Sequence, residues 1–188
     1  MKIQLINISI GRNFMKVYVC LLKQDDPKKC TARKLAQKGH AIAIHSMKRL
    51  PRSSIVLHPF ASRILSRTDA GTRSLGVIDC SWVNAQATFN GKIKGLPRRL
   101  PLLLAGNPTN YAKIGKLSSA EALAAALDIM GNKIFAQKVM SIFKWGTTFL
   151  DLNSEPLREY SRATSQDEIK SLEQDFFPNL IEDYYKAR

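Results

Sequence analysis

The stretch Leu100-Pro-Leu-Leu-Leu-Ala-Gly-Asn-Pro108, with Lys116-Leu-Ser-Ser-Ala-Glu-Ala-Leu-Ala-Ala-Ala-Leu127 after it, narrows the fold of this chain more than any other feature. Leu102–Ala105 reads as a short apolar strand, Gly106-Asn107-Pro108 as a turn, and Ser118 with Glu121 as a capping box that opens an alanine-rich helix to about Met130. Main-chain groups freed at such a strand-turn-helix junction cannot all pair with one another, so the junction is a natural place to hold a small polar ligand. The alanine-rich face permits either close packing or the close approach of a ligand. Taken alone, Gly-Asn-Pro is a common turn signal.

Upstream, short strands alternate with short helices. Met15–Leu22, Ala41–Ile44, Ile55–Leu57 and Leu75–Ile78 are apolar runs that read as strands. Thr31 is placed to cap a helix through about Lys38, closed by Gly39, and Pro59 suits the first turn of a helix running toward Leu65. Residues 89–99, with Gly91, Gly95 and Pro97, read as a loop. Downstream the pattern is helical: Asn132–Phe143, Leu157–Tyr160, and a helix opened by Ser165 and Glu168 that ends near Phe177-Pro178. The expected fold is therefore α/β with a mostly parallel sheet in a basic N-terminal part and an α-helical C-terminal part. Residues 1–14 read as an extension, because Met15-Lys-Val-Tyr-Val resembles a second beginning; 15–99 form the basic α/β region and 100–188 the strand-helix region with the C-terminal helices.

Charge divides the chain near the same junction. Residues 1–117 hold 21 Lys and Arg against 4 Asp and Glu, whereas residues 118–188 hold 8 against 11. A one-sided field of that size favours a polyanion, with nucleic acid the leading candidate and a merely solvated basic surface the alternative. Cys20, Cys30 and Cys80 are odd in number and widely spaced, which argues for a reducing cytoplasm and against a disulfide framework or zinc knuckle. His40, His45 and His58 lack the spacing that would place two metal ligands on one helix face, and no metal is expected. No apolar run is long enough to span a membrane, and Gln4 and Asn7 break any signal-peptide pattern.

Two further constellations could carry chemistry. Lys28-Lys29-Cys30-Thr31 sits where a helix begins, and helix amides, a hydroxyl and two ammonium groups suit an anion; an ordinary capped helix with a solvated face would look the same. Ile78-Asp79-Cys80-Ser81-Trp82 ends a strand in a carboxylate with a Trp three residues on, where open α/β sheets hold their ligands. Asp79 could accept a proton or orient a nucleophile, and Trp82 could cover an apolar ligand segment or stack on a base; a turn Asp beside a core Trp is the bland alternative. The chain has no G-x-G-x-x-G, Walker A or G-x-S-x-G motif, which removes the ordinary nucleotide-hydrolysing and acyl-transfer readings.

Seven blocks in this order carry a resemblance: Asp26-Pro-Lys-Lys-Cys-Thr31; Leu57-His-Pro-Phe-Ala61 with Leu65-Ser66; Val77-Ile-Asp-Cys-Ser-Trp82; Arg99-Leu-Pro101; Ala105-Gly-Asn-Pro-Thr-Asn-Tyr111; Lys116-Leu-Ser-Ser119 with Glu121-Ala122; and Phe143-Lys-Trp-Gly146 with Phe149-Leu-Asp-Leu-Asn153. Together they resemble the family of small-subunit ribosomal RNA aminocarboxypropyltransferases, over roughly Lys16 to Tyr160. The resemblance implies a SPOUT-like fold whose cofactor region is threaded through a trefoil knot, an exception to unknotted topology. It implies S-adenosylmethionine as cofactor and transfer of its 3-amino-3-carboxypropyl group to N3 of a pseudouridine, often N1-methylated, in small-subunit rRNA or the pre-ribosomal small subunit. Carried onto this sequence, Thr31 would meet the amino-acid end of the cofactor and Ile78 the ribose. Leu100 and Gly115 would read the adenine through their main chains, Trp82 would pack along the methionine portion, and Ser119 would complete the pocket. Asp79 is the expected catalytic base or orienter. The family usually has an aromatic residue where this chain has Gly115. Lys28, Lys29, Arg33, Lys34, Arg63, Arg67, Arg98 and Arg99 are expected to track the RNA phosphates with salt-sensitive, sequence-independent contacts. A cytoplasmic monomer is expected. The rival readings are a methyltransferase of the same fold and a ribosome-assembly factor that binds rRNA without catalysis.

Overall fold

Alternation along β2 (Asn13–Leu21) sets the architecture: Val17, Val19 and Leu21 face one apolar cluster and Cys20 faces another. The computed structural model describes residues 8–10, 13–22, 30–91 and 93–186. Around β2 the chain builds one sheet. β1 (Ile8–Ile10) pairs antiparallel with Asn13–Met15, and β3 (Ile42–Ile44) runs parallel to Tyr18–Cys20. On the other side β5 (Ser74–Asp79) runs parallel to β2, β4 (Ile55–Leu57) parallel to β5, and β6 (Leu96–Arg98) parallel to β4. Among the described residues five strands are thus mutually parallel, and β1 is the one that pairs antiparallel. Every residue of β4 and β5 is buried, as a parallel sheet covered on both faces requires.

The larger cluster joins Ile55, Leu57, Leu75 and Val77 to α1 (Thr31–Gln37), α3 (Ser119–Ile129) and the helices that follow. The smaller cluster, behind the sheet, joins Val56 and Ile78 to Leu50 and to Ala85 and Phe89 of α2 (Ala85–Phe89). α3 is buried nearly all round; Ala120, Ala124, Ala125 and Ala126 are at 0% exposure, so its alanines serve close packing against the sheet and α4 (Lys133–Met140). α5 (Gly146–Leu152), α6 (Ser154–Tyr160), α7 (Gln166–Phe176) and α8 (Ile181–Lys186) complete the helical part. Among the described residues no helix is long and apolar enough to cross a membrane.

Several local expectations are corrected. The cap of α1 is Cys30 rather than Thr31: its sulfur accepts the Arg33 amide at 3.2 Å. No helix follows Pro59: His58 Nδ1 takes the Phe60 amide and His58 O takes the Ala61 amide, and the chain closes a single turn that is not continued. The loop expected over residues 89–99 contains β6, an edge strand that tolerates Pro97 because the missing N–H faces no partner strand. Leu102–Ala105 is extended but joins the sheet through no ladder; its one bridge is antiparallel, Leu104 to Ile114. Side chains replace the ladder there. Leu102 N–H donates to Glu173, Tyr160 Oη donates to Leu102 O, and Asn153 both accepts from Leu104 N–H and donates to Leu104 O. Ser165 caps α7 as expected, while Glu168 bonds Thr164 instead of returning to the cap.

Candidate active site

Asp79 ends β5, and the chain brings two donors to its carboxylate from opposite sides. Ser119 Oγ, in the first turn of α3, donates to Oδ1 at 2.7 Å, and Cys30 Sγ, at the start of α1, donates to Oδ2 at 3.0 Å. Asp79 as a residue is 8% exposed, and each carboxylate oxygen keeps lone-pair capacity for a further donor. Burial first, and then the bond to Asp79, push the Cys30 thiol up to about 11, so it serves Asp79 as a protonated donor rather than a nucleophile. Cys20 is also raised, by burial and by the Asp79 charge.

A cleft of about 910 Å³ opens over this carboxylate. It lies beyond the carboxyl ends of β4 and β5, where Leu57, His58 and Ile78 to Trp82 contribute to its wall. Thr31, Ile78, Asp79, Trp82, Leu100, Gly115 and Ser119, all singled out from the sequence, line this one cleft. Trp82 is fixed at its edge by Nε1–H donating to Leu117 O at 3.0 Å, and Lys116 Nζ lies 4.7 Å from its ring centre. His58 donates from Nε2 to Phe89 O, since Nδ1 already accepts from Phe60.

The junction is rigid for a reason the capping box only partly announces. Glu121, at 0% exposure, accepts from the Ser118 amide and also from the Gly106 and Asn107 amides and the Asn107 side chain, at 2.6 to 2.9 Å. One carboxylate therefore ties the turn to the start of α3, which carries Ser119 to Asp79. Sequence reasoning missed this double use, along with Cys30 as an Asp79 partner and Tyr184 in the cleft wall. Cys30 had a signal, being next to Thr31; Tyr184 had none.

The basic residues separate into distinct environments. Lys28 and Lys29 lie outside the described residues. Lys34 is exposed and lines the cleft, and Arg63 and Arg67 are exposed, with Arg67 lying against Gly131. Arg33 is half-buried, and its Nε has no hydrogen-bond partner among the described residues. Arg98 and Arg99 are buried at 8% and 5% exposure and belong to the scaffold instead of an RNA surface. Arg98 Nε pairs with Asp69 at 3.2 Å, and Arg99 forms a two-pronged pair with Glu173 at 2.6 and 2.9 Å.

A mostly parallel α/β sheet with a cleft at its strand ends, walled in part by Trp82, Phe89 and Trp145 and holding one buried carboxylate, has the layout of α/β enzymes that take a small ligand at the carboxyl ends of their strands. Comparison with known proteins narrows the class. A family model described as "Ribosome biogenesis protein, C-terminal" matches residues 55–177. The chain is 46% identical over 159 residues to the 16S rRNA aminocarboxypropyltransferase of Methanosarcina mazei, covering 84% of this chain and 92% of that one. It is 43% identical over 170 residues to the enzyme of the same name from Sulfurisphaera tokodaii, covering 89% and 98%. The solved SAM-dependent rRNA:acp-transferase Tsr3 from Vulcanisaeta distributa superposes with a TM-score of 0.82 at 39% identity, covering 90% of this chain and 92% of that one. The chain belongs to the 16S rRNA aminocarboxypropyltransferase family.

A second model, described as a possible Fer4-like domain in RNase L inhibitor, matches residues 15–49. The donors there do not fit an iron–sulfur cluster, which needs four cysteine thiolates or a close equivalent. That segment contains only Cys20 and Cys30, the first buried in β2 and the second bonded to Asp79. Among the described residues no group of three or more His, Cys, Asp or Glu could hold a metal ion.

Proposed function

We propose that the cleft holds S-adenosylmethionine and presents its propyl carbon to N3 of a pseudouridine, N1-methylated or not, in small-subunit rRNA of the pre-ribosomal particle. The protein acts as an S-adenosylmethionine-dependent rRNA aminocarboxypropyltransferase. The observation that carries the reading is the convergence of loops 78–82, 100–101 and 115–119 with Thr31 around one carboxylate. The cleft fits the group: its volume is in the range of cofactor sites, Leu57, Trp82, Leu100 and Leu117 give it apolar and aromatic wall, and Thr31, Asp79, Ser118 and Ser119 bring polar groups to it. When bound, S-adenosylmethionine supplies an alkyl group already activated by the sulfonium charge.

The chain's own residues then have three tasks. Ile78, Leu100 and Gly115 would hold the nucleoside through main-chain groups, Trp82 would pack along the methionine portion, Thr31 would meet the amino-acid end, and Ser119 would complete the pocket. With the donor bound, Asp79 would accept a hydrogen bond from the uracil N3–H and take up that proton, so that N3 could replace the sulfur at the propyl carbon. Ser119 and Cys30 keep that carboxylate oriented. Positioning supplies most of the rate, because the choice among three carbons on sulfur is a choice of which carbon faces the RNA. Exposed Lys34, Arg63 and Arg67 meet the phosphate backbone, and the target base leaves its stack to reach Asp79.

The knotted, SPOUT-like threading belongs to this proposal. It is supported by the way residues 99–104 run between the Arg63–Leu65 segment on one side and Asn153, Tyr160 and Glu173 on the other. So do monomeric action, a cytoplasmic location, which the three free cysteines favour, and the division at residues 14 and 99. The deciding experiment incubates small-subunit rRNA with cofactor labelled on methyl or on carboxyl. Carboxyl label entering RNA is expected; methyl label entering would convert the reading to a methyltransferase, and neither label with intact RNA binding to an assembly factor.

A further inference from the structure

We propose that Tyr184, on the short helix α8, is a ligand-contacting wall of the cleft and lays its ring along the adenine end of the bound nucleoside beside Gly115. The inference rests on the cleft being the S-adenosylmethionine site and adds to it a residue from the far end of the chain. Tyr184 and Gly115 both line the cleft although 69 positions separate them. Gly115 sits at φ +67°, a conformation in which an L side chain is strained, and its N–H is held by Leu103 O at 2.9 Å. A Cβ built there would run into the Tyr184 ring, with Cζ at 3.2 Å and Cδ2 at 3.3 Å. The ring thus fills the space that a side chain at 115 would take, and the missing side chain and the tyrosine are two halves of one surface.

The ring is delivered by a supported element. The amides of Leu180 and Ile181 donate to Phe177 O, and Tyr184 N–H donates to Leu180 O. Phe177 is 6% exposed, and its neighbour Phe176 meets the fully buried Tyr160 edge-on at 6.1 Å. α8 is therefore moored to the core just before the residue that reaches the cleft. A flat aromatic face beside main chain that carries no side chain at Gly115 suits a purine, which needs both a stacking surface and edge contacts.

The test measures the Kd of S-adenosylmethionine and of S-adenosylhomocysteine by calorimetry for the wild-type protein, Tyr184→Ala and Tyr184→Phe, with the unliganded Tm of each. Tyr184→Ala should weaken both ligands about tenfold, the scale of a lost base–aromatic contact, raise KM for S-adenosylmethionine in step and leave kcat nearly intact. Tyr184→Phe should bind within about twofold of wild type, because the ring and not the hydroxyl makes the contact. If Tyr184→Ala lowers the unliganded Tm, Tyr184→Leu takes its place, keeping apolar bulk without the flat face. Wild-type affinity in Tyr184→Ala or Tyr184→Leu, or an equal loss in Tyr184→Phe, overturns this inference alone. A wild-type protein that binds neither ligand overturns the cofactor reading and this inference together.

Discussion

Two regions of this molecule use the same ingredients, buried carboxylates and chain segments distant in sequence, to opposite ends. In the seam between residues 98–107 and their partners, Glu173 and Glu121 spend their oxygens on guanidinium and amide donors supplied by the protein itself. At the cleft, Asp79 takes one donor per oxygen and faces open space. A carboxylate saturated by its own chain is scaffold; one left half-satisfied beside a cavity is available for chemistry. The basic residues repeat the lesson, since Arg98 and Arg99 are sealed in ion pairs while Arg63 and Arg67 stand exposed.

That contrast can be broken most forcefully at Glu173. Glu173→Ala strands the buried Arg99 and the Leu102 amide, and should cost about 3–5 kcal/mol of stability. Urea and thermal unfolding should show this as a fall in Tm of roughly 10 °C; a change below about 1 kcal/mol would mean the seam is not holding the segment. Asp79→Asn should behave in the other way. It keeps an acceptor for one donor, so folding and S-adenosylmethionine affinity change little, while aminocarboxypropyl transfer to rRNA slows about a hundredfold. Full activity in single-turnover assays would remove Asp79 from the chemistry.

Between these in kind is Cys30, whose thiol is moved from 9.0 to about 11 by burial and by its bond to Asp79. Unfolded, the thiol ionises near pH 9.0; folded, it stays protonated to about pH 11. The folded state therefore holds the extra proton across that window, so the stabilisation is complete below pH 9 and is lost as pH rises toward 11. Cys30→Ser retains a donor that does not titrate, and its alkaline loss of stability, followed by urea midpoints, should be shallower than that of the wild type. The smallest effect is expected on the surface. Arg63→Ala should lower the slope of log affinity for rRNA against log salt by about one without moving Tm, whereas Arg99→Ala should move Tm. A reversal of that pattern would exchange the roles assigned to the two arginines.

What the sequence disclosed and what it hid divide along the range of the interactions. The strands at 15–22, 41–44, 55–57 and 75–78 and the caps at Ser118 and Ser165 were legible because apolar runs and capping residues act over a few positions. Thr31, Asp79, Trp82 and Ser119 stood out because they fall in compact motifs at element ends, whereas Leu100 and Gly115 were singled out only through the family resemblance. Arg98 and Arg99 misled because the partners that bury them, Asp69 and Glu173, lie 29 and 74 positions away. Pro59 misled because a proline that suits the first turn of a helix also suits a tight turn, and here the chain closes a single turn from His58 to Ala61. β6 has no apolar signature of its own; β4 recruits it.

Two side-chain amides imitate strands. Asn153 engages both backbone groups of Leu104, and Gln166 does the same for Ile64 across 102 positions. During synthesis the ribosome releases Ile64 and Leu104 long before it releases Gln166 and Asn153, so the loops that frame the cleft wait for clamps made last. A product lacking its final third is expected to lack both clamps, which leaves the backbone groups of Ile64 and Leu104 without these partners and the segments that frame the cleft unsecured.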